Sequence, residues 1–141
     1  MSISVSTIIE RPPEVVFDFC VVNHLRNHPR WDPKMQLEQL TEGPVGLGTR
    51  FRRRHTRIGI PVEGAMEVTE FEPNRTFGTV IHDMTPNGPL EVRSRMTLER
   101  VGEARTELTV HLELPGVEAT MDPGMVEASL RRMKELIESE T

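Results

Sequence analysis

Arg53 and His55 stand two positions apart in GTRFRRRHTR, residues 48–57, a stretch that holds five arginines and one histidine. If residues 49–57 form one strand, successive side chains take opposite faces. Phe51 is the apolar anchor and is expected to point inward. Arg53 and His55 then share its face, and Arg50, Arg52 and Arg54 meet solvent. A guanidinium inside an apolar cavity costs free energy unless it is paired or hydrated. Its planar fork suits a carboxylate, phenolate or enolate oxygen. An imidazole beside it titrates near neutral pH and can move a proton. The pair has two readings. In one, both touch a ligand, and they are the catalytic residues if the protein is an enzyme. In the other, Arg53 meets an internal carboxylate or the cavity mouth and His55 is a hydrogen-bonded core residue. A one-residue bulge would exchange the two faces.

Other reactive residue types are weaker candidates. His24 and His28 have the i,i+4 spacing of a metal pair on a short helix, but no third ligand is readable and Pro29 ends that helix, so no metal site is expected. His82-Asp83 closes a predicted strand and reads as a loop pair, and His111 alternates outward. Cys20 lies among apolar helical residues and reads as a packed thiol. Being the only cysteine, it permits no intramolecular disulfide and fits a reducing cytoplasm. There is no G-x-S-x-G, H-E-x-x-H, Walker or G-x-G-x-x-G pattern, and no cofactor is indicated. Tyrosine is absent, which removes a phenolic acid or oxyanion donor.

Bulk properties narrow the classes. The chain has 141 residues, the size of one domain spanning 1–141. The net charge of −5 opposes phosphate binding, so no nucleic-acid partner is expected. No apolar run approaches the ~18 residues of a membrane span, and the first residues lack the pattern of a signal peptide, so cytoplasmic location without membrane insertion is expected.

These residues need elements to position them. Residues 3–9 read as a strand, and Pro12-Pro13-Glu14 starts a short helix over about 13–20. Residues 23–33 read as a second short helix broken by Pro29. Six strands follow: Met35–Thr41, Thr49–Arg57, Val62–Phe71, Thr76–His82, Leu90–Arg100 and Glu107–Leu114. The turns between them are short, which favours an antiparallel meander. Leu90, Val92, Met96 and Leu98 alternate with charged residues, as do Leu108, Val110 and Leu112, so one sheet face is buried. Asp122-Pro123 opens a terminal helix whose stripe is Val126, Leu130, Met133 and Ile137. At ~1.5 Å per residue that helix is long enough to cross a sheet.

The chain resembles the SRPBCC superfamily (START/Bet v 1-like), and within it the bacterial polyketide cyclase/dehydrase-like proteins. Four segments in order carry the resemblance: IIERPPEVVF at Ile8–Phe17, Trp31-Asp32-Pro33, GLGTRF at Gly46–Phe51, and VTEFEPNR at Val68–Arg75. It implies an α+β helix-grip fold: a seven-stranded curved antiparallel sheet around a long C-terminal helix, with two short helices after strand 1. The fold hosts many functions, so the site must decide. The first expectation is binding, transport or sequestration of a small, mainly hydrophobic or polyketide-like molecule with an anionic or carbonyl oxygen, by a monomer or homodimer. Its contacts are expected from Phe51, Arg53, His55, Met66 and Val68, from Phe77, Ile81 and Met96, and from Ser129 and Met133, with Trp31 near the mouth. Met84 and Met125 are also placed on cavity-lining elements. The alternatives are a cyclase/dehydratase-like enzyme in which Arg53 holds an enolate and His55 is base or acid, and a protein-docking module using Arg50, Arg52 and Arg54.

Overall fold

The computed structural model describes residues 1–117 and 123–141. The chain runs β1 (Ser2–Ile9), α1 (Pro13–Phe17), a π-helical turn (Asp18–Val22), α2 (His24–Trp31), β2 (Met35–Gln39), β3 (Arg50–His55), β4 (Val62–Glu72), β5 (Thr76–Thr85), β6 (Gly88–Gly102), β7 (Arg105–Glu113) and α3 (Gly124–Glu140). The seven strands form one antiparallel sheet in the order β1-β7-β6-β5-β4-β3-β2. Short turns make β2 to β7 a meander, and β1 pairs with β7 along its whole length.

Alternation decides what each strand buries. In β3, Phe51, Arg53 and His55 are buried and the arginines between them exposed, and the pairing to both neighbours runs without a bulge. Register shifts occur elsewhere, at Val68/Glu70 in β4 and at Arg100/Gly102 in β6. The outer face carries interleaved charge: Arg95 grips Glu70, Arg93 meets Glu91, and Arg52 lies 3.7 Å from Glu38.

α3 buries Leu130, Met133 and Ile137 against the sheet. Lys134 ties it to β1 through the Ile8 carbonyl at 2.6 Å and also closes on Glu138. Glu127–Arg131 and Arg131–Glu135 form no ion pair among the described residues. α3 starts at Gly124 with Pro123 as its cap residue, while the expected cap, Asp122, lies outside the described residues.

The short helices depart from expectation at two points. The first helix does not run evenly to residue 20; it widens at Asp18, where Asn23 N–H reaches back five residues to the Asp18 carbonyl at 3.0 Å. The carbonyls of Phe19 and Cys20 are taken up by side chains from α2, Asn27 Nδ2 and His24 Nδ1, each at 2.9 Å. Pro29 does not break α2. A residue before proline is normally pushed out of the helical region. Here His28 is held by stacking on Trp31, and bonds survive on both sides of the proline: Asn27 N–H to the Asn23 carbonyl and Asp32 N–H to the His28 carbonyl. Arg30 pairs with Glu140, and Arg132 donates to the Trp31 carbonyl, locking α2 against α3.

Candidate functional site

Between the concave sheet face and α3 lies a cavity of about 360 Å³. Protein interiors are otherwise close-packed, and voids larger than a water molecule are few. The volume falls within the range of small-molecule sites, roughly 300–1,000 Å³. The wall is mostly apolar, built from β3 to β7, α2 and one side of α3.

Arg53, His55, Met66, Phe77, Ile81, Met96, Ser129 and Met133 all line it. Two expected contacts do not. Phe51 and Val68 are fully buried in the packed end of the core, where Phe51 lies against the His24 ring at 5.5 Å. Trp31 is in the wall but not at the mouth: it is 3% exposed and sits against both histidines of α2. Exposed Ile58 and Met125 also line the cavity. Met84 points away and is 63% exposed, because strand alternation places it opposite its neighbour Asp83.

Asp83 is the residue that sequence reasoning missed. β5 does not end at His82 but continues to Thr85, so Asp83 is a strand residue and faces inward. Phe77, Thr79, Ile81 and Asp83 fall at period two, and that alternation was the available signal. Asp83 is buried against Arg53, with Nε 3.1 Å from Oδ1 and Nη2 donating to Oδ2 at 3.4 Å. His55 Nε2 is 3.4 Å from the same Oδ2. The internal-carboxylate reading of Arg53 therefore describes its present partner.

The pair spans a strand. Arg53 on β3 and Asp83 on β5 are both in register with Gly64 on β4. A Cβ on Gly64 would stand 2.0 Å from Asp83 Oδ1 and 2.4 Å from the His82 carbonyl oxygen. Only the missing side chain lets the two charged groups meet above β4. The fit is incomplete. Nε and Oδ1 are close enough to attract, but the N–H is not aimed at the oxygen, and both atoms are buried without a hydrogen bond. Burial pulls the Arg53 guanidinium below its ordinary pKa, opposed by the charge of Asp83. Burial also lowers the His55 pKa, helped by Arg57 and resisted by Asp83.

A second polar group lies beside the first. His24 is buried among Phe51, Phe77 and Trp31, with ring centroids 5.4 to 5.8 Å away. Burial pushes its pKa down to about 4. His28 Nδ1 is 2.9 Å from His24 Nε2, and its ring stacks on Trp31 at 5.1 Å. Burial, then the neighbouring His24 and arginines, hold His28 well below the ordinary range. The two rings bond to each other rather than diverging toward a common ion, and no cluster with metal-ligand geometry occurs among the described residues. Burial raises the Cys20 thiol to about 12, so it is no nucleophile near neutral pH.

The family described as "Polyketide cyclase / dehydrase and lipid transport" matches residues 1–138. The chain belongs to that family. Its fold is the SRPBCC, Bet v 1-like helix grip. Ara h 8.0201 superposes with a TM-score of 0.74 at 15% identity, covering 99% of both chains. Truncated norcoclaurine synthase from Thalictrum flavum gives 0.75 at 12% identity, covering 100% of this chain and 95% of that one. The di-domain ARO/CYC StfQ from the steffimycin biosynthetic pathway gives 0.69 at 19% identity, over 97% of this chain and 44% of StfQ. At these identities the likeness is one of fold. No curated protein sequence matches the chain. Among the described residues no helix is long and apolar enough to cross a membrane.

Proposed function

We propose that this family member binds a small, mainly apolar molecule in the cavity under α3, with one carbonyl or anionic oxygen of the ligand directed at Arg53 and His55. The observation that carries this reading is the incomplete ion pair in the cavity wall: Arg53 Nε and Asp83 Oδ1 are buried with no hydrogen bond. Charge attraction holds the two atoms 3.1 Å apart, but a buried pair is fully stabilised only when its hydrogen bonds are also well directed. A ligand that shifts the guanidinium into line with the carboxylate, or supplies an oxygen to it, would add part of that stabilisation. The apolar remainder of the ligand would fill a volume that the protein's own side chains leave open. The single, buried thiol suits a protein that works in a reducing cytoplasm.

Native mass spectrometry of the protein purified from its own host tests this reading. The expected result is a reproducible extra mass that vanishes on denaturation. Absence of that mass, together with failure to take up the apolar, sulfonate-bearing dye anilinonaphthalene sulfonate, overturns it.

A cyclase- or dehydratase-like reaction is the second reading. It is favoured by a histidine, His55, kept in its basic form by burial beside a fixed cation and lining the same cavity. Replacing His55 with Gln separates the two. A carrier would lose affinity, whereas an enzyme would keep most of its affinity and lose turnover.

A further inference from the structure

The ion-pair site makes no use of His24 and His28, although both line the cavity. Their hydrogen bonds fix where their protons sit. His24 Nδ1 is 2.9 Å from the Cys20 carbonyl oxygen, which can only accept, so Nδ1 carries the hydrogen. A neutral imidazole has one N–H, and burial keeps His24 neutral, so its Nε2 presents a lone pair. His28 Nδ1, 2.9 Å away, must then be the donor. With its one hydrogen spent there, neutral His28 presents a bare lone pair at Nε2. That atom makes no hydrogen bond among the described residues; Asp32 Oδ2, 3.9 Å away, is itself an acceptor, held by Arg57. The Cys20 carbonyl, through two rings, thus converts a backbone acceptor into a side-chain acceptor at the cavity wall.

We propose that this acceptor recognises a hydroxyl on the apolar ligand, alcohol or phenol, whose O–H donates to His28 Nε2. The proposal rests on the reading of the cavity as a ligand site and adds a second polar contact to it. A cationic donor such as an ammonium fits less well, because Asp32 is already neutralised by Arg57 and Arg53 lies in the same wall. Asn27 and Arg30 do not line the cavity: Asn27 donates to the Phe19 carbonyl and Arg30 donates to Asn27 Oδ1, so the acceptor stands apart from that polar cluster. The stacking of His28 on Trp31 fixes the direction of the lone pair.

Two measurements test it. In the ligand-free protein near neutral pH, two-bond nitrogen–proton NMR correlations should place the hydrogen on Nδ1 in both His24 and His28. A hydrogen on His28 Nε2, or a doubly protonated ring, overturns the proposal without any ligand or variant. In titrations with β-naphthol and its methyl ether, the wild-type protein should prefer the free hydroxyl by roughly tenfold, the worth of one hydrogen bond. His28→Phe should erase that preference while keeping affinity for the ether. Equal binding of both probes to the wild type overturns hydroxyl recognition and leaves the cavity reading standing. If neither probe binds although the Nδ1 tautomers are found, the cavity reading is what fails, and hydroxyl recognition falls with it.

Discussion

Two ion pairs in this sheet share one design and differ in surroundings. On the concave face, Arg53 and Asp83 meet across Gly64. On the convex face, Glu70 and Arg95 meet across Gly78, which is in register with both. In each case a central strand gives up a side chain so that its two neighbours can touch. The outer pair is bidentate, with contacts of 2.6 to 3.1 Å, and about half exposed. The inner pair is 5% exposed on both sides and leaves two polar atoms without a hydrogen bond. The better geometry thus occurs where it contributes least, because water already solvates both charges. The poorer geometry occurs where each imperfection is costly, at the wall of the cavity. A fold selected for stability alone would be expected to improve the inner pair first, and a site that must engage a ligand has reason not to.

Removing one partner from each pair should separate them most widely. Asp83→Ala leaves Arg53 buried and uncompensated and should cost about 3–5 kcal/mol of unfolding free energy. Glu70→Ala should cost less than about 1 kcal/mol. Urea denaturation of the two variants is the check, and comparable losses would show that burial does not distinguish the pairs.

Mild acid should act on the buried histidines that α2 sets beside the cavity. His24 is fully buried with its pKa lowered to about 4, so the folded state favours its neutral form. That stability is complete above the unfolded value near 6.5 and is lost as pH falls from there through about 4, reaching about 3 kcal/mol for this one group. His28 shifts in the same direction and steepens the loss. Urea midpoints measured across that window should fall, and His24→Phe should flatten the slope.

The glycines offer a finer cut. Gly64→Ala places a methyl against the Asp83 carboxylate and the His82 backbone, so the pair must open; about 2–3 kcal/mol is expected. Gly78→Ala meets Glu70 at its Cβ, 2.8 Å away, so the strand itself must give by a few tenths of an ångström, but none of the three nearest atoms is backbone; about 1–2 kcal/mol is expected. Thermal denaturation of both variants ranks them, and the reverse order would contradict the account of the inner pair.

Salt should give the smallest effect. At 1 M salt the Debye length is about 3 Å, so whatever coupling the Arg95–Glu70 pair has should vanish. The Arg53–Asp83 coupling should hardly change. Double-mutant cycles at low and high salt measure both.

Much of this molecule is written in local pattern. Period-two alternation placed Phe51, Arg53 and His55 inward and the intervening arginines outward, because a strand has only two faces and Phe51 chooses between them. The stripe on α3 and the short turns between strands were legible for the same reason: each depends on residues near one another in the chain. Asp83 was equally local in principle, since it continues the alternation of Phe77 and Ile81, but proline and asparagine three and four residues on suggested an earlier strand end. What α2 does was not legible. Pro29 predicts a break, yet the helix runs through it to Trp31, with His28 stacked on Trp31 and bonded to His24, which in turn bonds the π-helical turn.

The sequence by itself determined the order of elements, the buried face of each, and that a cation and an imidazole would share the inside of β3. Tertiary structure alone decided their partners. Arg53 finds Asp83 thirty residues away because two antiparallel registers converge on Gly64, and His28 becomes an acceptor because a widened helical turn turns the Cys20 carbonyl toward His24. Face and order follow from the geometry of neighbouring residues, whereas pairing and proton position depend on which distant groups the packed sheet and helices bring within a few ångströms.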